Sequence, residues 1–138
     1  MKKLSIIIIL FLFFACSEEE LRLKVYNPEA FAYQIDSEWE LNASAQVKGF
    51  MQVEENDKYS TKLSYYVNLV TPAGEKLDEI DYGLVDKKSD EELIDTQIEI
   101  QVIFDSSFVH GEYTLQIIVM DDLSEQQDST EVKFNLSE

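Results

Sequence analysis

The chain has 138 residues, of which 45% are hydrophobic and 12% aromatic, and its formal net charge is −17. This is enough apolar material for one compact domain and too little length for two. A surface this acidic repels phosphate backbones, so the composition argues against nucleic acid as a partner. The single cysteine excludes an intrachain disulfide.

The first fifteen residues have the composition of a secretory signal. Lys2 and Lys3 form a positive start, and residues 4–14 are an apolar run interrupted only by Ser5. The run is shorter than the roughly 20 residues that span a bilayer. It therefore predicts a signal peptide rather than a membrane-spanning helix.

Residues 13–16, Phe-Phe-Ala-Cys, resemble a lipobox, the motif at which bacterial lipoproteins are cleaved and acylated. Ala15 and Cys16 fit the motif, whereas Phe13 and Phe14 stand where a leucine and a small residue are usual. The resemblance implies that Cys16 carries the lipid. Its acyl chains would then anchor the protein, each buried methylene contributing about 0.8 kcal/mol.

Three glutamates follow almost directly, Glu18, Glu19 and Glu20. They resemble the export signal that directs acylated lipoproteins to the surface of some Gram-negative bacteria. We therefore expect a lipid-anchored outer-membrane protein displayed at the cell surface. The alternative is that the triplet is a solvated tether and that the protein faces the periplasm.

Beyond residue 20, apolar and polar residues alternate with period two, the pattern of strands with one buried face. The alternating runs lie within 21–25, 31–35, 39–47, 51–53, 63–70, 80–84, 98–104, 113–119 and 132–136. The predicted core comprises Trp39, Leu41, Val47, Leu63, Tyr65, Val67, Ile98, Ile100, Val102, Leu115, Ile117, Val119 and Phe134.

Turn-forming residues separate these runs. Asn27-Pro28 interrupts the first pattern, and Gly49 shifts the phase of the next, which indicates a bend. Residues 71–75, Thr-Pro-Ala-Gly-Glu, have the composition of a hairpin turn. The polar and acidic stretch 86–95 is predicted to be the longest loop.

Short strands at this spacing predict an antiparallel β-sandwich of seven or eight strands. The stretch from Gly111 through Tyr113 to Asp121 resembles the penultimate strand of immunoglobulin-like and fibronectin-type-III-like bacterial domains. That resemblance implies a tyrosine corner, in which the Tyr113 hydroxyl bonds to nearby backbone. It identifies a fold rather than a function.

The expected organisation is therefore a signal peptide (1–15), a lipidated and acidic segment (16–36) and an immunoglobulin-like sandwich (37–138). The pattern leaves open whether residues 21–36 are a tether or the first strands of the domain.

No catalytic constellation emerges. His110 is the only histidine, and although Asp105, Ser106 and Ser107 are near it in sequence, no Gly-x-Ser-x-Gly elbow is present. One histidine and one cysteine cannot supply a transition-metal site. We expect neither an enzyme nor a cofactor.

Two weaker signals concern the acidic and aromatic residues. Asp121 and Asp122 are calcium candidates, as is the acidic group at 90–95, although a solvated loop accounts for both. Residues 128–130 resemble an O-glycosylation sequence with Ser129 as the acceptor. Two interpretations are open for the aromatic residues, a sugar-stacking platform or core and cross-strand packing; they are Trp39, Tyr59, Tyr65, Tyr66, Tyr82 and Tyr113.

Two functional hypotheses remain. In the first, the protein is a non-enzymatic interaction or accessory module of an outer-membrane or cell-surface assembly, with a protein partner. In the second, it is a carbohydrate-binding or adhesive module that uses aromatic residues on one sheet face. The sequence leaves the oligomeric state open.

The lipoprotein interpretation gives a direct prediction. Replacing Cys16 by Ala removes the thiol that accepts the lipid, so the precursor should stay uncleaved by the lipoprotein peptidase and leave the detergent phase on phase separation. Labelled fatty acid should no longer be incorporated. Incorporation at the wild-type level in the Cys16→Ala variant would contradict the interpretation.

Overall fold

The computed structural model describes residues 21–137, and these form eight strands and no helix. The strands are β1 (Lys24–Ile35), β2 (Glu38–Lys48), β3 (Val53–Glu55), β4 (Lys58–Val70), β5 (Lys76–Ser89), β6 (Asp95–Phe104), β7 (Gly111–Asp121) and β8 (Gln127–Leu136). The predicted all-β antiparallel sandwich of seven or eight strands is confirmed.

The strands form two antiparallel sheets that share one core. The first has the order β1-β2-β6, and the second has the order β5-β4-β7-β8, with the short β3 also paired to β4. In constant-type immunoglobulin domains, the fourth strand belongs to the same sheet as the first two strands. In this protein the fourth long strand is β5, which pairs with β4 instead. The first sheet therefore has only three strands.

The core lies between the two sheets, and β2 shows how the sequence forms it. Every second residue of β2 is buried, from Trp39 to Val47, while the intervening side chains face outward. Of the predicted core positions, Tyr65 and Val102 are partly buried against the core and the others are buried. The buried core also contains Leu23, Val25, Phe50, Phe104, Tyr113 and Leu136.

The segment before β2 is the edge strand of the three-stranded sheet. β1 pairs with β2 from Lys24 to Ile35, with a register shift between Tyr26 and Glu29. Asn27, whose φ is 48°, lies in this bulge together with Pro28. The break expected at these residues is therefore a bulge within one continuous strand.

The start of β1 is fastened to the far end of the chain. The backbone amide of Leu23 donates to Gln126 Oε1 (2.9 Å), and that of Val25 donates to Asp128 Oδ2 (2.8 Å). The Gln126 amide in turn donates to the Leu21 carbonyl (2.7 Å). These bonds fix the point at which the preceding residues enter the domain, beside the β7–β8 hairpin.

Half of the stretch 86–95, which was expected to be a loop, is strand, so the expected extent of the loop is wrong. β5 continues to Ser89, which pairs with Tyr59, and only residues 90–94 connect it to β6. β4 is long enough to pair with β5 along this whole stretch, and Lys87 Nζ donates to Thr96 Oγ1 (2.8 Å) on β6. The charged composition is that of a protected edge strand rather than of a loop.

Tyr113 forms the corner that the resemblance implies. Its buried hydroxyl donates to the Val109 carbonyl at 2.7 Å, and its ring stacks on Phe134 with centroids 5.6 Å apart. Burial raises the pKa of Tyr113 above its ordinary value. The hydroxyl therefore remains a neutral donor that holds the loop before β7 against the core.

Tyr65 closes the open side of the sandwich between β5 and β6. It lies opposite Gly83, where a Cβ would overlap the tyrosine ring, and its hydroxyl donates to the Glu99 carbonyl at 3.3 Å. The inward position of β5 is thus a glycine because the ring from β4 occupies its space. The large neighbours of that glycine, Tyr82 and Leu84, face solvent.

Truncation of a core aromatic tests this packing. Phe134 is buried and stacks with both Tyr113 and Phe104. Phe134→Ala should therefore lower the free energy of unfolding by about 3–5 kcal/mol, measured by urea denaturation. Phe31→Ala is the matched control: this phenylalanine is 61% exposed, so its loss should cost less than about 1 kcal/mol. Equal costs for the two variants would contradict the assignment of the core.

Candidate interaction surfaces

The acylation site and the export signal lie outside the described residues, so the structure does not describe Cys16, Glu18, Glu19 or Glu20. The described chain begins at Leu21, which lies at one end of the sandwich beside Phe50 and Ile94.

His110 does not form a catalytic group with its sequence neighbours. Its ring packs edge-to-face against the buried Trp39, with centroids 5.5 Å apart. Asp105 instead accepts hydrogen bonds from the Ser107 backbone amide (2.8 Å) and the Ser107 hydroxyl, which lower the pKa of the Asp105 carboxyl. The acidic and hydroxyl groups near His110 thus build a turn.

Asp121 is a buried structural carboxylate, only 1% exposed. Its Oδ2 accepts from the Met51 backbone amide (2.7 Å) and the Ser124 hydroxyl (2.7 Å), and its Oδ1 accepts from the Leu123 amide (3.0 Å). With both oxygens engaged, Asp121 joins the β7–β8 turn to the segment before β3. It fits this role better than that of a calcium ligand.

The neighbouring acidic groups form no cation site in the part of the chain that is described. Asp122 is exposed and accepts from the Ser64 hydroxyl at 2.8 Å. Among residues 21–137, no three His, Cys, Asp or Glu side chains are grouped so that they could hold a metal ion. Over the same residues, no helix is long and apolar enough to cross a membrane.

The glycosylation candidate Ser129 is exposed and lies within the strand β8. Its neighbour Asp128 accepts a hydrogen bond from the Val25 amide. Ser129 pairs with Ile118 on the outer face of the five-stranded sheet.

The aromatic residues named as a sugar platform do not share a surface. Trp39 and Tyr113 are buried, and Tyr65 is partly buried over Gly83. Tyr59 is partly buried near the start of β4, where it pairs with Glu54 and Ser89. Only Tyr66 and Tyr82 lie together, directly opposite each other on the outer face of the five-stranded sheet.

These two tyrosines belong to a larger apolar surface, which we call the Tyr82 strip and define as Tyr66, Tyr82, Leu84, Ile118 and Met120. One row of it crosses three strands as Tyr82–Tyr66–Ile118, and the next runs Leu84–Ser64–Met120. Tyr82 and Leu84 are 78% and 76% exposed, whereas Ile118 is only 7% exposed because its outer-face neighbours cover it.

The outer face of the three-stranded sheet has a different character. Phe31, Tyr33 and Ile35 line up along its edge strand, with the Phe31 and Tyr33 rings 6.2 Å apart and inclined by 21°. We call this surface, formed by the outward side chains of β1, β2 and β6, the Phe31 face. Ile103 lies on its far side, where β6 pairs with Glu40.

A polar network crosses the Phe31 face. Glu40 Oε1 accepts from the Tyr33 hydroxyl (2.6 Å), the Asn42 amide (3.1 Å) and the Gln101 amide (2.6 Å). These three bonds lower the pKa of the Glu40 carboxyl, and the bond to Glu40 raises the pKa of Tyr33. One residue from each of the three strands is thereby held in place around a carboxylate.

Beside this network the Phe31 face forms a shallow depression of about 500 Å³. Its walls come from Phe31 on β1 and Gln101 on β6, and Asn42 and Ser44 on β2 lie between them. Sequence reasoning missed this surface, because the alternation of β1 gave two faces without saying which was buried. The alanines at positions 30 and 32, which pack inward, were the available signal.

The role given to Asp121 yields a paired prediction. Asp121→Ala leaves the Met51 and Leu123 amides and the Ser124 hydroxyl without their acceptor, so the free energy of unfolding should fall by about 2–4 kcal/mol. The exposed neighbour Asp122 serves as the control. Asp122→Ala should change the free energy of unfolding by less than about 0.5 kcal/mol. Both values are measured by urea denaturation, without and with added calcium. Stabilisation of the wild type alone by calcium would show that the carboxylate binds the ion.

No family model and no curated protein matches the chain. Among solved structures it is similar to the X-ray structure of Northeast Structural Genomics Consortium target SoR45, with 11% sequence identity and a TM-score of 0.40 over 86% of this chain and 87% of that one. A likeness at this level carries no argument, so the site rests on the geometry of this chain alone.

Proposed function

We propose that the protein is a non-enzymatic interaction module of the cell envelope, anchored by a lipid at Cys16, that binds a protein partner through the Tyr82 strip. The observation that carries the proposal is the contiguous apolar surface across β5, β4 and β7, with Tyr82 and Leu84 almost fully exposed. Contiguous exposed apolar surface is rare on soluble monomers unless it serves binding.

The composition of the strip fits a protein interface. Tyrosine and methionine are enriched at the centres of such interfaces, and tyrosine often carries much of the binding free energy. Charged side chains border the strip: Lys62 lies opposite Asp86 in the next row, and Lys88 follows on β5. An apolar centre with a charged rim is the arrangement expected of a non-obligate interface.

The position of the strip also suits an anchored module. The described chain begins at the end of the sandwich that holds Leu21, whereas the strip lies on the outer face of the five-stranded sheet. A lipid a few residues before Leu21 would leave this side accessible. The proposed location is the outer membrane, at the cell surface if Glu18, Glu19 and Glu20 act as an export signal, and otherwise on its periplasmic face.

The alternative of a carbohydrate-binding module concerns a different surface. Of the six aromatic residues named for it from sequence, three lie in or against the core, two belong to the Tyr82 strip, and Tyr59 belongs to neither. The Phe31 face, in contrast, combines a ring with hydrogen-bonding side chains and supports that activity independently.

The test removes the apolar centre of the strip without disturbing the core. Tyr82→Ser combined with Leu84→Ser should preserve the urea midpoint because both side chains are exposed. Val109→Ser is the matched control, because Val109 is also an exposed apolar residue but lies at the β6–β7 loop. The lipidated proteins are cross-linked in intact cells and purified from their own membranes, and co-purifying proteins are quantified by mass spectrometry.

A protein recovered equally with wild type and with Val109→Ser should fall about tenfold with the double variant, since loss of interface anchors costs more than about 1.4 kcal/mol. If all three proteins recover the same set of partners, the strip is not the binding surface.

A further inference from the structure

The geometry points to a second site, beyond the proposed protein interface: the depression on the Phe31 face binds an uncharged glycan chain. The site lies on the opposite sheet from the Tyr82 strip and shares no residue with it.

The side chains that form the depression have the chemistry that sugars require. Asn42, Ser44, Gln97 and Gln101 present amide and hydroxyl groups, each able both to donate and to accept hydrogen bonds, as sugar hydroxyls do. Phe31 supplies an aromatic wall, and the electron-rich face of such a ring attracts the C–H groups of a sugar ring. A few placed polar groups around an aromatic surface are typical of small-molecule sites.

The polar groups are also held in position before any ligand binds. Asn42 and Gln101 each donate to Glu40, and Gln46 donates to Gln97 Oε1 at 2.9 Å. Side chains fixed in this way lose less conformational freedom on binding, which favours affinity. Side chains of the same types without these hydrogen bonds would lose more conformational freedom when a ligand binds.

Charge selects among glycans. Glu29 and Glu99 line the depression, and none of the described residues that line it is basic. Glu40 adds a third carboxylate beside it, with a pKa lowered by its three donors. Carboxylates without a basic partner repel uronic acids and sulfated sugars, so the ligand is a neutral chain.

The same geometry disfavours an extended peptide as the occupant. A peptide that adds to a sheet pairs with the backbone of an edge strand. The depression instead lies over β2, the central strand, whose backbone is paired with β1 on one side and β6 on the other. Only side chains are offered there, and these are mostly amides, carboxylates and a hydroxyl.

The test uses the mature lipoprotein in a polyoxyethylene detergent, which carries no sugar. The protein is run in native gels containing mixed-linkage β-glucan, galactomannan or dextran, and in gels containing polygalacturonate. At least one neutral polysaccharide should retard the protein, and polygalacturonate should not. Phe31→Ala and Gln101→Ala should each weaken the retarding interaction about tenfold, while Tyr82→Ala should leave it unchanged.

Three outcomes overturn the inference: no retardation by any of the three neutral polysaccharides, retardation by polygalacturonate alone, or full retardation of the Phe31→Ala protein. If the Phe31→Ala protein no longer co-purifies with a protein partner but is retarded like the wild type, the Phe31 face binds a peptide instead. Because Phe31 is exposed, the urea midpoint of its variant separates a lost site from a lost fold. The protein-partner proposal is tested by variants of Tyr82 and Leu84, which do not line the depression. Failure of that proposal is therefore distinguishable from failure of the glycan inference.

Discussion

A two-sheet sandwich can bury only one face of each strand, and this constraint decides where the apolar residues of the edge strands lie. On β1 the inward positions hold Ala30 and Ala32, and on β5 one of them holds Gly83. At the β5 edge the inward space is limited, because the ring of Tyr65 already lies over Gly83. The larger side chains of β1 and β5 are consequently left outside. Both candidate surfaces are results of this single packing limit.

The ends of the sandwich depend on hydrogen bonds rather than on apolar packing. Asp121 joins the β7–β8 turn to the backbone before β3, and Gln126 and Asp128 hold the beginning of β1. In each case a side chain from the C-terminal part of the chain accepts from a backbone amide at the margin of the sheets: Leu23 and Met51 lie outside the strands, and Val25 lies in the edge strand β1. Buried amides require such acceptors, so these polar residues are as structural as the core.

The sequence was most informative where one strand face is strongly apolar and the other strongly polar. β2 and most of the buried residues of β6 were predicted, because residues 39–47 and 98–102 alternate between apolar and polar side chains. The continuation of β5 to Ser89 was not predicted, because exposed edge strands and loops share a charged composition. The face assignment of Tyr82 depends on the ring of Tyr65 above Gly83, a contact between strands that alternation within one strand cannot reveal.

The candidate surfaces were beyond sequence reasoning for a related reason. An exposed tyrosine and a core tyrosine look alike in a strand, and Tyr113 and Tyr82 occupy alternating patterns that differ only in what faces them. The polar network is also non-local: Glu40 gathers Tyr33 from β1 and Gln101 from β6, residues that the register alone brings together. Such a site becomes visible only once strand order and register are known.

The arrangement of the two surfaces has a functional consequence. The Tyr82 strip and the Phe31 face lie on the outer sides of opposite sheets, with the whole core between them. A protein on one side and a glycan on the other would not compete for space, and the described chain enters at a third position, the end beside Leu21. A single domain of this shape has room for both ligands at once. Because the core between the surfaces is a rigid, closely packed layer, binding on one side should leave affinity on the other unchanged unless the sandwich itself deforms.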